Sequence, residues 1–485
     1  MKKRILVIIL FVVSALSVHA QRYLGIATSN WSGTYGMYLN PANIADSRTK
    51  FAIDLMSINF GVDNNLAGIN LSGAFSSIGG NSKLNETFNY GNKQQFSLML
   101  PYAALNLPGI MVSIDHKNSI ALTLRVRGIN QFNNFDQRLF RTITDPNYNS
   151  GNDFDFTSAN FNWTLHAWSE INLCYGRVLY EKEEHMLKVG LNLKLLGGIG
   201  YVSLKGKNLD AHFYSAADSL RANNTDLEYS SSIIDSLSEL GGGVSDAFSQ
   251  FFGKKGGNGF GADIGLVYEY RPDYDDYVDP VSKHVDHSSN KYKIRASVSV
   301  TDIGSINYNN TMSANITGNG SLSVGDLAKN FTNFNSFSDY AGSRGFHLDT
   351  ARGSTKVYLP TALIIGVDYY IWQHFYVNGT YIANLANRQN FGNSYYNQFT
   401  LTPRFDTKFM SVGVPITYSS LTSGFKAGFG MRFGGFILGT DDVSAFFSNS
   451  AYGVNFYVGA FVPINKKYKK SNETHTESDT NKLIK

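Results

Sequence analysis

The stretch FKAGFGMRF, residues 425–433, alternates apolar with polar or small side chains along its whole length. One parity holds Phe425, Ala427, Phe429, Met431 and Phe433. The other holds Lys426, Gly428, Gly430 and Arg432. Successive side chains of a β-strand point to opposite faces, so a strand of this sequence has one aromatic, apolar face and one basic face.

The same alternation recurs between Phe51 and Ile464, in stretches that have the length of a strand. We count about fourteen such strands, at residues 51–62, 95–114, 119–132, 161–180, 186–206, 260–271, 291–304, 358–371, 374–385, 395–405, 408–418, 424–434, 435–440 and 451–464. An even number is typical of bacterial single-chain membrane barrels, whose apolar faces contact lipid and whose polar faces line the lumen. The sequence therefore predicts an all-β fold, a transmembrane antiparallel β-barrel of about 14 strands.

The connections between the predicted strands sort by length. Tight turns alternate along the chain, at residues 115–118, 181–185, 372–373, 406–407 and 434–435. The opposite end of the barrel receives long polar loops, at residues 63–94, 133–160, 207–259 and 305–357. Short periplasmic turns and long extracellular loops are the arrangement of outer-membrane barrels. The connection 272–290 breaks this pattern, because it belongs to the short-turn end and is nearly twenty residues long.

The N-terminus carries an export signal. Met1-Lys2-Lys3-Arg4 is a basic start, Ile5 to Val18 is a short apolar core, and Ser17-Val18-His19-Ala20 offers a small-residue cleavage site. The apolar run is too short for a stable membrane helix. We therefore expect residues 1–20 to be a cleaved signal peptide and the mature protein to reside in the outer membrane.

Charged side chains in the predicted strands share the parity that faces the lumen. A charge on the lipid face near the middle of the membrane would cost about 2–4 kcal/mol, which explains this segregation. The predicted lumen-lining residues are Arg125, Arg127, Glu170, Lys188, Lys194, Asp263, Glu269, Lys293, Arg295, Asp368, Arg404, Lys426 and Arg432. Mutual pairing inside a plugged lumen is the favoured interpretation, and an anion-attracting pore is the alternative.

Composition and motifs disfavour several functional classes. The formal net charge is only +4 and no basic face is evident, so we expect no nucleic-acid partner. The acidic run Asp273, Asp275, Asp276 and Asp279 lacks the glycine and the terminal glutamate of an EF-hand loop. We therefore predict no metal and no cofactor.

Catalytic motifs do not occur in the sequence, which has neither G-x-S-x-G nor H-E-x-x-H. His166 and Glu170 share inward parity on one predicted strand, and we interpret them as part of a lumenal hydrogen-bond network rather than as a catalytic pair. The single cysteine, Cys174, is interpreted as a packed lumenal thiol. We predict that the protein is not an enzyme.

The second predicted strand is irregular. Pro101 and Pro108 each lack the N–H that a ladder needs, and both faces of the strand around them are apolar. We expect a kink in the wall at these positions, either a bulge that only shapes the strand or a gap.

Apolar residues between 232 and 252, among them Ile233, Leu240 and Phe252, follow helical spacing. This predicts a helix within a long loop. We interpret it as a helix that packs on the mouth of the barrel, and the alternative is a surface that meets lipid, substrate or a partner.

The motif Tyr38-Leu39-Asn40-Pro41-Ala42 precedes the first predicted strand. An Asn40-Pro41-Ala42 segment shortly after a signal peptide resembles the long-chain fatty-acid transporter superfamily of barrels, which includes the attachment and shuttle barrels of type IX secretion. Residues 426–464 look like the closing strands of an uncharacterised branch of that group. The resemblance implies that the motif lies at the periplasmic mouth and that the N-terminal stretch enters the lumen.

The expected organisation follows from the signal, the resemblance and the strands together. It comprises a signal peptide at 1–20, an N-terminal hatch or plug segment at 21–50, the barrel at 51–464 and a polar basic periplasmic tail at 465–485. In the resembling family a kinked wall strand opens a lateral route from lumen to lipid, and Pro101 and Pro108 offer a similar weak point.

Two functions are compatible with this organisation. The resemblance and the irregular second strand favour a channel or transporter for small hydrophobic molecules. The long loops and the basic tail favour the alternative, a non-transporting scaffold that binds envelope or secretion proteins. In either case, outer-membrane lipid is an expected partner.

Overall fold

The computed structural model describes residues 23–69, 88–91, 95–144, 148, 151–233, 256–324, 326, 334–387, 390–443, 446 and 451–467. Eighteen strands form one antiparallel sheet, which closes because its first strand in chain order pairs with both its last and its second strand. Ten of these strands each fill one position in the wall: β1 (Thr49–Asn64), β4 (Gln95–Ser113), β5 (Asn118–Asp136), β6 (Phe154–Lys182), β7 (His185–Tyr214), β10 (Ile294–Ser323), β13 (Phe375–Asn384), β14 (Gln398–Asp406), β19 (Phe436–Thr440) and β20 (Gly453–Asn465).

Each of the other four wall positions is shared by two consecutive strands. The pairs are β8 (Ser219–Ser231) with β9 (Gly257–Tyr270), β11 (His347–Tyr358) with β12 (Ala362–Trp372), β15 (Met410–Gly413) with β16 (Ile416–Ser419), and β17 (Gly424–Ala427) with β18 (Phe429–Phe433). The wall therefore has fourteen positions, and the predicted fourteen-stranded antiparallel barrel is confirmed. Two short strands, β2 (Ala67–Ile69) and β3 (Phe88–Tyr90), pair apart from the wall.

Local sequence explains where the shared positions break. Pro360 stands between β11 and β12, and Pro415 stands between β15 and β16. A proline has no N–H to give to a ladder, so each interrupts the strand without changing its course.

The break between β8 and β9 is different, because residues 232–256 are inserted partway along the wall. Ser232 N donates to Tyr201 O and Gly256 N donates to Gly198 O, so the chain leaves and re-enters beside the same short piece of β7. The predicted helix at 232–252 falls almost entirely on residues 234–255, which lie outside the described part of the chain.

Strand extends into three of the predicted long loops, so their predicted bounds were wrong. β6 begins at Phe154, β7 continues to Tyr214, and β10 continues to Ser323. Polar side chains alternate there on the face that meets solvent, and such a pattern is easily taken for a loop. The described residues of this end include two helices, α1 (Gln137–Thr144) and α2 (Phe334–Ser343).

Both helices pack on the outer side of the lengthened strands. Phe140 of α1 lies 5.9 Å, centroid to centroid, from Phe132, and Phe337 of α2 lies 5.5 Å from Tyr229. Phe132 and Tyr229 have the outward parity and are nevertheless buried. The long-loop end is therefore partly wrapped by its own helices.

Nearer the short turns the outward face is apolar and bare. Leu193 is 51% exposed, Phe260 is 74% exposed and Phe425 is 80% exposed. Leu122, Leu173, Ile264, Ile365 and Val458 share this belt. None of the helices among the described residues has the length and apolar character needed to span a membrane.

The short-turn end contains the one long connection that the sequence indicated, between Tyr270 and Ile294. It holds a short 3₁₀ helix, η3 (Tyr274–Tyr277), and an isolated bridge between Val278 and Val285. Asp279 accepts from the backbone N–H groups of Val281 and Ser282, and this closes a turn.

Pro101 and Pro108 both lie in β4, and the ladder to β5 shifts register at each of them. Pairing with β1 and β5 resumes on either side of both positions. The irregularity takes the form of bulges in a strand that is paired along both edges.

Candidate functional site

The N-terminal segment, residues 23–48, lies inside the barrel and carries two 3₁₀ helices, η1 (Gly33–Tyr38) and η2 (Pro41–Ile44). Nearly all of its residues are buried against inward-facing wall side chains. Tyr23 Oη lies 2.9 Å from Ser57 Oγ and accepts from Asn106 Nδ2 at 2.9 Å. Thr34 Oγ1 donates to the Asp54 carboxylate at 2.6 Å. This segment will be called the plug.

Asn40 joins the plug to the wall backbone. Its amide nitrogen donates to the carbonyl oxygens of Leu266 on β9, at 3.0 Å, and Val298 on β10, at 3.1 Å. Its side-chain oxygen accepts from Ala42 N at 2.9 Å and so caps η2. One amide thus fixes both the helix and its position on the wall.

A row of three glycines makes this contact sterically feasible. Gly176 on β6, Gly190 on β7 and Gly265 on β9 are direct cross-strand neighbours with inward parity. A methyl group at Gly190 would overlap the backbone of Pro41 and Ala42, and one at Gly265 would overlap the Asn40 side chain. The next residue in the row, Ser299 on β10, donates to Leu39 O at 2.6 Å.

A second row of glycines lies on the other side of the barrel. Gly413 on β15, Gly430 on β18 and Gly439 on β19 are again cross-strand neighbours. A Cβ atom at Gly430 would stand 2.7 Å from Gly25 Cα, and one at Gly413 would overlap Gly25 O. The centres of the two rows are seven wall positions apart in a wall of fourteen, so the plug touches backbone on diametrically opposite sides.

Above the plug, a buried charge network joins five wall strands. Arg127 contacts Glu170 at 3.0 Å and Asp302 at 2.8 Å. Lys194 contacts Asp263 at 2.7 Å and Asp302 at 2.6 Å. Two cations and three carboxylates are therefore paired inside the barrel, as buried charges require.

Asp302 is the centre of this network, and it is not among the residues predicted to line the lumen. By parity it belongs to the outward face, together with Val298 and Val300. A register shift between Val300 and Ile303, with Asp302 in the left-handed region at φ 58°, turns its carboxylate inward. Its backbone N–H donates to Asp263 Oδ1 at 2.6 Å. A charge at an outward position, followed closely by Gly304, is the signal that would have indicated the bulge.

A second charge network binds the start of the plug. Arg404 contacts Asp368 at 2.8 Å and Asp406 at 3.3 Å, and Arg295 contacts Asp368 at 2.9 Å. Asp406 in turn accepts from Asn30 N at 2.8 Å and from Ser29 Oγ at 2.7 Å. The plug thus uses wall carboxylates as hydrogen-bond acceptors.

Three further predicted lumen residues contact an acidic or aromatic side chain. Lys188 contacts Glu269 at 2.5 Å and Lys426 contacts Asp63 at 2.7 Å. The Arg125 guanidinium lies 4.4 Å from the centroid of the Tyr38 ring in the plug.

Two of the predicted cations bond mainly to carbonyl groups at the short turns. Arg432 donates to Thr407 O at 2.6 Å and to Gly434 O at 3.1 Å, so it joins two turns. Lys293 lies just before β10, half-buried, and donates to Ile371 O at 3.3 Å.

A connection from the long-loop end enters the lumen from above. In the connection between β13 and β14, Tyr395 Oη accepts from Arg127 Nη2 at 2.5 Å and donates to Asp302 at 3.3 Å. Ser394 N donates to Gln131 Oε1 at 2.9 Å. Below and beside this connection lies an apolar, largely aromatic cluster, made of Ile129, Trp168, Leu196, Tyr201, Ile306, Tyr308, Val357 and Leu359, with Phe391 and Tyr396 packed against it.

His166 and Glu170 do not bond to each other. His166 stacks on Trp168 at 4.6 Å between ring centroids, while Glu170 accepts from Trp168 Nε1 at 2.8 Å and pairs with Arg127. Among the residues that the structure describes, no group of three or more His, Cys, Asp or Glu side chains is placed to hold a metal ion.

Fold and site together define a fourteen-stranded β-barrel whose lumen is entered from one end by its own N-terminal segment and from the other by an inserted connection. The chain belongs to the DUF5723 family, a family of unknown function, whose family model matches residues 41–441. No curated protein matches the chain.

Solved barrels that are similar to the chain include the toluene transporter TodX of Pseudomonas putida, at 8% identity and a TM-score of 0.42, over 90% of this chain and 95% of that one. A FadL homologue of Pseudomonas aeruginosa is similar at 9% identity and a TM-score of 0.41, over 92% of this chain and 99% of that one. The outer-membrane protease OmpT of Escherichia coli is similar at 8% identity and a TM-score of 0.22, over 85% of this chain and 95% of that one.

We predict that replacing Gly190 with alanine dislodges the plug, because the added methyl group overlaps Pro41 and Ala42. The single cysteine reports this directly, since the buried Cys174 Sγ lies 3.7 Å from Pro41 O. Maleimide labelling of the folded protein should be slow for the natural sequence and fast for Gly190→Ala. The matched control is Gly379→Ala, whose Cβ atom would meet nothing closer than 3.9 Å; equal labelling rates for all three proteins would contradict the role of the glycine row.

We predict that Arg127→Met lowers the free energy of unfolding by about 3–5 kcal/mol, because Glu170 and Asp302 lose a buried cation. Glu170→Gln added to Arg127→Met should recover part of the loss. Urea titrations followed by the gel mobility of folded and unfolded barrel would measure both. The comparison variant is Lys207→Met, which breaks the exposed 3.7 Å pair with Asp226 and should change stability by about 0.5 kcal/mol or less. Similar losses for Arg127→Met and Lys207→Met would show that the network does not stabilise the fold.

Proposed function

We propose that this protein resides in the outer membrane and is a channel for small hydrophobic molecules in its closed state. The bare apolar belt on the outer wall, the sorting of short turns and long connections to opposite ends, and the buried ion pairs inside support a barrel surrounded by lipid. The predicted signal peptide fits the same location.

The observation that carries the proposed ligand class is the apolar cluster within the lumen. Tyr201, Tyr308 and Trp168 point into the barrel at a level where a water-filled pore would be lined by polar groups. Aromatic and aliphatic walls with a few polar groups are typical of sites that bind small apolar ligands. The connection that carries Phe391 and Tyr396 covers this cluster on the long-loop side.

The closed state has two barriers in series. The connection between β13 and β14 bonds to Arg127 and Gln131 at the upper level, and the plug bonds to Asp406 and to the β9 and β10 backbone at the lower level. A molecule that crosses the barrel along its axis must displace both. The cluster lies against the connection, so we expect ligand to reach it from the long-loop side.

A second candidate function is a non-transporting scaffold for envelope or secretion proteins. The specific observation in its favour is the plug, whose backbone is in contact with wall glycines on opposite sides of the barrel. A segment held in this way resembles a permanent part of a core more than a removable gate.

Uptake of a radiolabelled monoaromatic hydrocarbon separates the two functions. Cells that display the barrel should take up the compound several times faster than cells without it. Replacing Phe391 and Tyr396 together with serine should change uptake while the folded fraction, read from heat-dependent gel mobility, stays unchanged. Uptake equal to that of cells without the barrel, by a correctly folded protein, would favour the scaffold.

Pro101 and Pro108 allow a test of a lateral exit through β4. Because β4 is paired with both neighbours around the two bulges, we expect a variant with valine at both positions to fold and to keep the natural uptake rate. Lost uptake by a folded variant would instead indicate an exit from lumen to lipid at this strand.

A further inference from the structure

Toward the long-loop end of the barrel, β11 has a neighbouring strand on one edge only. It pairs with β10 along its length. On its other edge the next wall strand is β13, which ends at Asn384, opposite Ala362 of β12. β11 therefore extends beyond β13, and from His347 to Val357 its second edge pairs with no other described strand.

The bonds at the two edges of β11 show which way its backbone groups point. On the β10 side, Thr311 Oγ1 donates to Gly353 O at 3.1 Å. On the other side, Tyr358 N donates to Phe391 O at 2.8 Å. The N–H and C=O of one residue point to the same edge of an antiparallel strand, and successive residues alternate between the edges. The residues whose backbone groups face the open edge are therefore Leu348, Thr350, Arg352, Ser354 and Lys356.

These residues present a row of unpaired backbone donors and acceptors. Among the described residues, the carbonyl group of Phe391 at Tyr358 is the last that bonds to this edge of β11. The side chains do not cover the row, because every residue from Asp349 to Ser354 is exposed. β11 contains no proline, and its protection is charge alone. An open edge of this kind is a template for a further strand.

The charges on β11 are sorted between its two side-chain faces. Arg352 and Lys356 share the outward face with Tyr358, and neither forms an ion pair with any described residue. Lys356 Nζ lies 5.5 Å from the centroid of the Tyr358 ring. Asp349 has the opposite parity, which it shares with the buried Val357. The outward face of the open edge therefore carries positive charge only, at two positions four residues apart.

We propose that the open edge of β11 binds an extended acidic segment of a partner protein, which adds to the sheet as a further strand. The row requires an extended chain, because only such a chain presents N–H and C=O groups at the spacing of a ladder. Two carboxylates four residues apart on the segment lie opposite Arg352 and Lys356. The edge lies at the long-loop end, so the partner approaches from outside the cell in the orientation proposed above. Binding there does not require transport through the lumen.

A second copy of the chain fits this edge less well than an acidic partner. In an antiparallel pair, residues that lie opposite each other share a face. Two β11 edges paired in this way place Arg352 and Lys356 opposite neutral or basic residues, because Asp349 lies on the other face. Like charges directly opposite are destabilising. The charges therefore favour a partner of different sequence.

Ser354→Pro tests the edge without disturbing the wall. It removes one N–H from the open row and leaves the bonds between β10 and β11 in place, because the backbone groups of Ser354 face away from β10. Proline is tolerated in an edge strand where its nitrogen faces solvent. The variant should therefore fold, as read from heat-dependent gel mobility. The matched control is Ser354→Ala, which keeps the N–H.

The probe is a fluorescent peptide with the sequence Thr-Glu-Thr-Val-Thr-Glu-Thr-Val-Thr, which is titrated with the purified full-length protein in detergent. Its threonines and valines favour an extended chain, and its glutamates have the spacing of Arg352 and Lys356. Fluorescence anisotropy should show saturable binding to the natural protein and to Ser354→Ala. Ser354→Pro should weaken the Kd by about tenfold or more, because it removes a ladder bond and its ring blocks the approach of a strand.

Charge variants test the acidic character of the partner. Arg352→Thr with Lys356→Thr should weaken binding of the peptide by about fivefold, and a peptide with lysine in place of both glutamates should bind the natural protein more weakly by a similar factor. Equal affinities of the natural protein and Ser354→Pro, or a lysine peptide that binds as tightly as the acidic one, would overturn the proposal. Light scattering covers the other occupant: a dimer that forms with the natural protein and is lost in Ser354→Pro would assign the edge to a second copy instead.

If Ser354→Pro does not fold, Thr350→Pro removes an equivalent N–H nearer the end of the strand. Backbone hydrogen exchange of the natural protein then gives a second measurement. The acidic peptide should slow exchange at the amides of Arg352 and Ser354, which face the open edge, and leave that of Gly353, which faces β10, unchanged. Exchange at Arg352 and Ser354 that the peptide does not slow would count against strand addition.

Discussion

The ladder between β1 and β20 closes the sheet into a continuous wall of fourteen positions. With the plug and the connection between β13 and β14 inside the closed sheet, most of the inward charged side chains are buried, and a buried charge needs a partner. The paired network around Asp302 and the one around Asp368 follow from this constraint, as do the carbonyl contacts of Arg432. Removing one member of such a network leaves an uncompensated buried charge, so the members of each network depend on one another.

The plug belongs to this interior, because it both hydrogen-bonds to the wall and packs closely against it. Two rows of glycine bring its backbone against the wall at Gly190 and at Gly430, on opposite sides. Between these contacts the plug uses Asn40 to bond to wall carbonyl groups and Asn30 to bond to a wall carboxylate. The lower barrel is therefore packed like a protein core, while the upper lumen holds an apolar cluster against which the connection between β13 and β14 packs.

Bulges explain much of what is irregular in the wall. At Asp302 a register shift turns a carboxylate from the outer to the inner face. At Pro101 and Pro108, where the chain has no N–H to donate, the ladder between β4 and β5 shifts its register. A bulge therefore turns a carboxylate inward in one strand and accommodates proline in another. Both effects arise because an extra residue leaves a ladder position unpaired and reverses the parity of the residues that follow.

Strand number, antiparallel pairing and the two faces of the wall were determined by the sequence alone, because a period of two residues fixes which side chains share a face. The inward placement of Arg127, Lys194, Asp368 and Arg404 follows from the same period. Tertiary structure alone decided which of these charges meet. Partners such as Arg127 and Asp302 are 175 residues apart in the chain, and only closure of the sheet brings them together. Tertiary structure also decided the role of Asp302, because a one-residue bulge inverts the parity of a strand without a marked change in its composition. It decided the role of Gly176, Gly190 and Gly265 as well, because a cross-strand row depends on the register between strands, which no single strand specifies.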